Sequence, residues 1–217
     1  MAVGVTALAE RSLAVPSAAD RDDLATFLHR AIRLDEAAVV RLRRRGRDRV
    51  ETWAPTGFEV MAVRVVGGTV APADTTAAAD AVLASVRQAD SSPFELGFSM
   101  DSAWQGVLPP EDGFAHVDDV PAQVLVDLAK RGVELASEHS QGPPVSLLDQ
   151  NVLEVVGDGG RAAIPMRMVF ALNAMGFAPD SLDEAVRVRT NRSWLRLDAR
   201  YGSVAVNRTA RLPLSVR

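Results

Sequence analysis

The sequence predicts an α+β fold in which two helix-plus-antiparallel-strand modules are joined by a helical and loop-rich middle. Three observations lead to this prediction. Apolar residues recur at helical spacing in four segments, and they alternate with polar residues at both ends of the chain. A tetrapeptide that precedes the strands of the first module also precedes those of the second, as in an internal repeat.

The first module begins with a helix and continues with three strands. Apolar residues at three- and four-residue spacing predict a helix over about 19–33, which Ser17 or Asp20 can cap. A second helix opens near Asp74 and ends near Gln88. Between the two helices, alternating segments bounded by turn sequences predict strands at about 38–42, 50–53 and 58–66.

The middle of the chain combines a loop region with helices. Residues 90–120 are rich in Pro, Gly, Ser and Asp and contain scattered aromatics, so we expect an ordered loop that these aromatics anchor. An amphipathic stripe after Pro121 predicts a third helix that ends before residues 142–144. A short strand at about 147–156 and a fourth helix at about 165–175 follow, with a glycine-rich turn between them.

The second module consists of strands with one buried and one wet face. From Ala185 to Val206 apolar residues alternate with polar ones, as in an antiparallel sheet. Leu-Asp-Glu-Ala at 34–37 returns at 182–185, each time before three strands. The parallel extends to two tryptophans in the second strands and two turn glycines, namely Trp53, Trp194, Gly57 and Gly202. An internal repeat and a coincidence of common residues both remain open.

Length and composition limit the class of protein. A chain of 217 residues with 47% apolar content predicts one compact domain over 1–217, with two packed halves at 1–90 and 120–217 as the alternative. The sequence has no cysteine, which excludes disulfides and thiolate sites. It has no apolar run near the roughly 20 residues of a membrane span and no basic leader, so a cytoplasmic location is expected. Only one of its 24 basic residues is lysine, which indicates a high-GC genome such as that of an actinobacterium.

Charge is distributed unevenly around a net value of −4. Residues 90–158 carry 13 acidic side chains against two basic ones, 187–217 carry eight arginines against one aspartate, and 41–49 carry six arginines. Alternation places several arginines on the wet faces of strands, where they can bind phosphates or an acidic protein: Arg41, Arg43, Arg187, Arg189, Arg196 and Arg200. The other interpretation is a solvent-exposed face without a binding role, whose cations are arginines because a high-GC genome encodes nearly every cation as arginine.

No catalytic residue, cofactor or metal site is predicted. The turn at 157–161 lies before a helix, but it lacks the glycine spacing and lysine of phosphate loops, and a plain turn is favoured. His116, His139 and their acidic neighbours lack metal-motif spacing, and Asp118 and Asp119 fit a helix N-terminus better. A pocket between the halves is a further candidate, lined by Trp104, His116, His139, Asp149, Gln150 and Asn151.

Three functional interpretations follow. The first is a non-catalytic binding or regulatory protein whose arginine-bearing strand faces bind nucleic acid or an acidic protein. The second is a small-ligand-binding protein or enzyme with a pocket between the halves, and the sequence does not decide whether the protein is an enzyme. The third is a homo-oligomeric structural or assembly protein, in which the acidic middle of one subunit pairs with the basic strands of another.

Overall fold

A computed structural model describes residues 11–88, 93–137, 143–181 and 183–209. They form two compact units. Unit 1 comprises the chain up to residue 54 and residues 64–105, and unit 2 comprises residues 55–63 and the chain from residue 106 onward. Each unit contains helices and antiparallel strands, so the predicted α+β class is confirmed. The single domain with halves at 1–90 and 120–217 stays a prediction.

Unit 1 begins with a short strand and a long helix. Strand β1 (Ser12–Ala14) leads into α1 (Ala18–Leu34), which is capped by Ser17, whose hydroxyl accepts a hydrogen bond from the Asp20 amide at 3.3 Å. The remaining elements, in chain order, are β2 (Val39–Arg45), β3 (Arg49–Pro55), β4 (Met61–Gly67), β5 (Thr69–Ala71), β6 (Asp74–Ala78), α2 (Ala79–Gln88) and β7 (Phe94–Glu95).

The strands of unit 1 form two sheets. In the larger sheet the order is β6, β2, β3 and β4, and β2 is antiparallel to both β6 and β3. In the smaller sheet β1 lies between β5 and β7 and is antiparallel to both. Strands and helices contribute to one apolar core, which includes Leu24, Phe27, Leu28, Val40, Leu42, Val50, Val82 and Val86.

Unit 2 alternates helices with hairpins. Its elements are β8 (Ala115–Pro121), α3 (Ala122–Ser137), α4 (Val145–Leu148), β9 (Asn151–Gly157), β10 (Gly160–Pro165), α5 (Met166–Ala174), β11 (Ala185–Thr190), β12 (Trp194–Ala199) and β13 (Gly202–Asn207). Residues 61–63 of β4 pair with β13, and the order continues through β12 and β11 to β8. Among the described residues, no helix is long and apolar enough to cross a membrane.

The predicted internal repeat is present as a repeated topology. In unit 1, α1 precedes the consecutive strands β2, β3 and β4, and in unit 2, α5 precedes β11, β12 and β13. An outer strand pairs with the first strand of each set, β6 with β2 and β8 with β11. A helix follows each outer strand directly, α2 in unit 1 and α3 in unit 2. Leu182 of the second tetrapeptide lies outside the described residues.

Several predicted boundaries are wrong because strand pairing overrides local signals. Residues Asp74–Ala78 form β6 against β2 and not the first turns of a helix. Asp118 and Asp119 do not cap α3, because they lie in β8, opposite Val188 and Arg187 of β11. Residues 160–165 form β10, which pairs with β9, where the sequence predicted only a turn before a helix.

Candidate functional site

The unit 1 arginines predicted to bind anions are paired with carboxylates. Arg41 donates two hydrogen bonds of 2.7 Å to Asp74, and this interaction raises the pKa of Arg41. Arg43 stands opposite Glu51 in the β2–β3 register, and its guanidinium lies 2.9 Å from the Glu51 carboxylate. Glu51 is only 4% exposed and also accepts a hydrogen bond from the Trp53 indole at 3.0 Å. These arginines therefore neutralise acids of their own sheet.

The unit 2 arginines predicted to bind anions are paired in the same way. The register places Arg187 opposite Asp119 on β8 and Asp198 on β12, so carboxylates flank it on both sides. The ion pairs are Arg187 with Asp119 at 3.3 Å, Arg189 with Asp198 at 3.4 Å, Arg196 with Asp198 at 2.5 Å, and Arg200 with Glu184. All six predicted arginines thus have intramolecular partners, and whether they bind an anionic partner stays a prediction.

Residues 44–49, the β2–β3 turn with the strand residues that flank it, form the basic segment whose charges are not balanced in this way. Arg44, Arg47 and Arg49 are exposed, and none of them has an ion pair within the described ranges. Arg45 in the same turn lies 3.4 Å from Glu51. We call residues 44–49 the basic turn.

The basic turn is held at both sides by backbone hydrogen bonds. The Arg44 amide donates to the Ala73 carbonyl at 2.7 Å, and the Gly68 amide donates to the Asp48 carbonyl at 2.8 Å. Six arginines occur in 41–49, but alternation favours only those at solvent-facing strand positions as anion-binding candidates. The missed signal is Arg-Gly-Arg-Asp itself. It forms the turn, and the strand residues Arg44 and Arg49 beside it stand opposite Val50 and Arg45, so the register supplies no carboxylate.

The residues of the predicted pocket are distributed over both units. Trp104 belongs to unit 1, whereas the other described members belong to unit 2. His116 lies 2.9 Å from Asp119, and the Gln150 carbonyl accepts a hydrogen bond from the Met166 amide at 2.9 Å. His139 lies outside the described residues, and Asn151 is exposed at the start of β9. The pocket stays a prediction.

Asp149, the remaining member, pairs with a buried arginine that sequence analysis did not single out. The Arg167 side chain is 3% exposed and donates to the Asp149 carboxylate at 2.6 Å, to Glu59 at 2.9 Å and to the Phe58 carbonyl at 2.8 Å. It lies in α5, where the apolar surroundings gave no sign that one charged residue would be buried. This arginine links three segments of unit 2.

The glycine-rich turn between β9 and β10 packs on β8. A Cβ on Gly157 would lie 1.8 Å from the Val117 carbonyl oxygen, and one on Gly159 would lie 1.8 Å from that of His116. The glycines are therefore required for close backbone approach. No group of three or more His, Asp or Glu that could hold a metal ion occurs among the residues that the structure describes.

Unit 1 contains an open cavity of about 320 Å³ beside the basic turn. It is formed by the end of β1, the start of α1, the basic turn and the connection from β4 to β5. Small residues line much of it, and Asp20 and Asp48 contribute carboxylates; the small residues are Ala14, Pro16, Ser17, Gly67, Gly68 and Thr69.

Comparison with domain families and curated proteins gives no activity. A model described as "Domain of unknown function (DUF8010)" matches residues 8–106, and one described as "Domain of unknown function (DUF8185)" matches residues 109–211. The matches meet where the chain leaves unit 1, at residue 105. None of the curated proteins matches this sequence.

Solved structures similar to this chain include bacterial sliding clamps. The DNA polymerase sliding clamp of Bacillus subtilis has a TM-score of 0.60 at 11% identity, over 91% of this chain and 64% of the clamp. That of Caulobacter crescentus has a TM-score of 0.58 at 13% identity, over 93% and 66%. For the DNA polymerase III beta subunit of Thermotoga maritima the TM-score is 0.54 at 12% identity, over 90% and 64%. The likeness is one of fold, and the chain spans about two thirds of the clamps' length.

Proposed function

We propose that this protein is a non-catalytic nucleic-acid-binding protein that contacts the phosphates of duplex DNA with its basic turn. The observation that carries the proposal is the clustering of Arg44, Arg47 and Arg49, exposed and without ion pairs among the described residues, within six consecutive residues. A guanidinium presents a planar fork of donors that matches phosphate oxygens. The fold likeness to DNA polymerase sliding clamps supports DNA as the anionic partner.

The helices are less suited to this contact because their charges balance. Helix α1 carries three arginines and three aspartates, and α3 carries Lys130 and Arg131 against Asp127 and Glu134. A protein cation that is already paired with a carboxylate neutralises a phosphate less, so it releases fewer of the counterions condensed on DNA. The basic turn is therefore a better phosphate contact than α1 or α3.

A salt-dependent binding measurement tests the proposal. Anisotropy of a labelled duplex is measured between about 50 and 200 mM salt, where each phosphate contact adds about 0.9 to the slope of log K against log salt. Replacing Arg44, Arg47 and Arg49 with Gln is expected to weaken binding at least about tenfold at low salt and to lower the slope by about three.

The matched control removes the same charge elsewhere. Arg87, Arg192 and Arg208 are also exposed and have no ion pair in the described part of the chain, so their triple Gln variant should bind like the parent. Equal loss in both variants would show that only net charge matters. Binding of polyglutamate as tight as binding of the duplex would replace DNA with an acidic protein as the partner, and both results overturn the proposal.

A further inference from the structure

The pairing of arginines with carboxylates is incomplete at one place on the unit 2 sheet. The β11–β12 register places Arg189 directly opposite Arg196, where like charges repel each other. Among the described residues, both arginines form ion pairs only with Asp198, whose carboxylate oxygens lie 3.4 Å from the Arg189 Nε and 2.5 Å from the Arg196 Nε. Two guanidinium groups therefore share one carboxylate. We call Arg189 and Arg196 the arginine pair.

The arginine pair and Asp198 together keep a net charge of +1, because one carboxylate faces two guanidinium groups. Asp198 also accepts a hydrogen bond of 2.6 Å from the Ser203 hydroxyl, which brings no charge. Arg187 stands opposite Asp198 in the register, but it forms an ion pair with Asp119 at 3.3 Å, and these two charges cancel. One positive charge on this face is thus left without a partner.

The unused donors of the arginine pair are accessible. The nitrogen closest to Asp198 is Nε in both arginines, and their terminal Nη1 and Nη2 groups donate no hydrogen bond to a described residue. None of these nitrogens is a buried atom without a partner, so each contacts solvent. The side chains are nevertheless only 34% exposed in Arg189 and 15% in Arg196. Partial burial makes an uncompensated charge unfavourable, and an anion at the Nη groups would compensate it.

The guanidinium groups are held in place without a ligand. The Arg196 Cζ lies 5.6 Å from the centroid of the Phe114 ring, and the Arg196 Nε donates to Asp198. The strands that carry the arginine pair are hydrogen-bonded neighbours in the sheet, so their backbones are fixed. A guanidinium that is already oriented loses less entropy on binding than a free side chain. Two adjacent forks of donors match a group with two oxygens.

We propose that the arginine pair binds one carboxylate group, supplied by a small carboxylic acid or by an acidic side chain of a partner protein. A carboxylate carries the single negative charge that complements the net charge of this group. A phosphate monoester carries about −1.5 to −2 at neutral pH, and its excess charge would be repelled by Asp198. A phosphate of duplex DNA is linked to sugars on both sides, so it reaches partly buried guanidinium groups less well than a terminal carboxylate.

An NMR titration of the isotope-labelled full chain with acetate, at an ionic strength kept constant with chloride, tests this site. The Nε–Hε signals of the arginine pair should shift saturably, with a Kd on the order of 1–10 mM. Arg189→Gln, at the more exposed position, should raise the Kd read at Arg196 at least about tenfold. Arg161→Gln replaces an arginine that is 70% exposed and paired with Glu154, and should leave the Kd unchanged. No saturable shift in the parent, or the same Kd in Arg189→Gln, overturns the proposal.

Titration with phosphate tests the charge match. The parent should bind acetate more tightly than phosphate, and Asp198→Asn, which removes the shared negative charge, should increase phosphate binding relative to acetate at least about fivefold. Tighter binding of phosphate by the parent, or an unchanged ratio in Asp198→Asn, contradicts the assignment to a carboxylate.

A peptide with one glutamate among alanines identifies the source of the carboxylate. Tighter binding of this peptide than of acetate at the arginine pair indicates a partner protein, and equal binding indicates a small carboxylic acid. The arginine pair belongs to unit 2 and the basic turn to unit 1, so the NMR signals report on this site alone. Failure of acetate binding would therefore leave the proposed duplex contact untouched, and the reverse also holds.

Discussion

The arginines of the sheet faces and those of the basic turn differ in what lies opposite them. An antiparallel register places Glu51 opposite Arg43 and Asp119 opposite Arg187, whereas in the basic turn it places Val50 opposite Arg44 and Arg45 opposite Arg49, so no carboxylate faces them. Both sets look alike in a sequence in which nearly every cation is arginine. Alternation therefore locates the solvent-exposed face of a strand, whereas strand register decides whether the charges on that face are already neutralised.

If pairing and burial determine what an arginine does for stability, the largest loss should follow replacement of Arg167. This side chain is 3% exposed and donates to Asp149, Glu59 and the Phe58 carbonyl. Arg167→Ala should lower the free energy of unfolding by about 2–4 kcal/mol, because charge-assisted hydrogen bonds and packing are both lost. Urea denaturation measures this. Arg161→Ala removes an arginine that is 70% exposed and should cost about 0–1 kcal/mol. Equal losses of unfolding free energy in the two variants would contradict the idea that pairing and burial determine what an arginine contributes to stability.

Replacing Glu51, which neutralises arginines of the unit 1 sheet, should lower stability less than replacing Arg167. It should strengthen duplex binding, whereas replacing the basic-turn arginines weakens it. Glu51 is 4% exposed and accepts hydrogen bonds from Arg43 and Trp53. Glu51→Gln should cost about 1–3 kcal/mol in urea denaturation. It also removes a negative charge beside the basic turn, so duplex affinity at low salt should increase. Unchanged or weaker binding by the folded variant would contradict the assignment of the phosphate contact to this turn.

Replacing the basic-turn arginines with Gln should weaken duplex binding and leave stability unchanged, whereas replacing the paired unit 2 arginines with Gln should lower stability and leave binding unchanged. The variant lacking Arg44, Arg47 and Arg49 should unfold within about 0.5 kcal/mol of the parent, because exposed and unpaired side chains contribute little to stability. The variant of the four paired unit 2 arginines should retain duplex binding and lose about 1–2 kcal/mol of stability. Denaturation and anisotropy on the same samples measure both quantities. Loss of binding in the unit 2 variant would restore the sheet face as the phosphate contact.

The α+β class and most helices were predictable because they depend on local periodicity, whereas the tetrapeptide that occurs twice indicated the repeat but left coincidence open. Helix α1 differs by one residue at each end from the predicted 19–33. Strand β6 was predicted as helix, because the pairing that makes Asp74–Ala78 a strand depends on distant β2. The ion pairs of the sheet faces also depend on register, and the sequence located the arginines without their partners.

The smallest predicted effect is a pH dependence of stability that comes from Asp119, the ion-pair partner of the sheet-face Arg187. Its partial burial opposes ionisation, but hydrogen bonds from His116 and Arg187 and the charge of Arg187 outweigh this and lower the pKa of Asp119. A lowered folded-state pKa gives a stabilising contribution that is complete above the unfolded value of about 3.9 and disappears as pH falls through the folded value. Arg187→Gln should therefore reduce the loss of stability between neutral and acid pH, and raise the NMR titration midpoint of the Asp119 carboxyl. Asp22→Asn, an exposed position of α1 in unit 1, provides a control in which the Asp119 midpoint should not move. If the Asp119 midpoint is the same with and without Arg187, the two side chains lie close together without stabilising each other. Pairing with a carboxylate would then affect stability only where the arginine is buried.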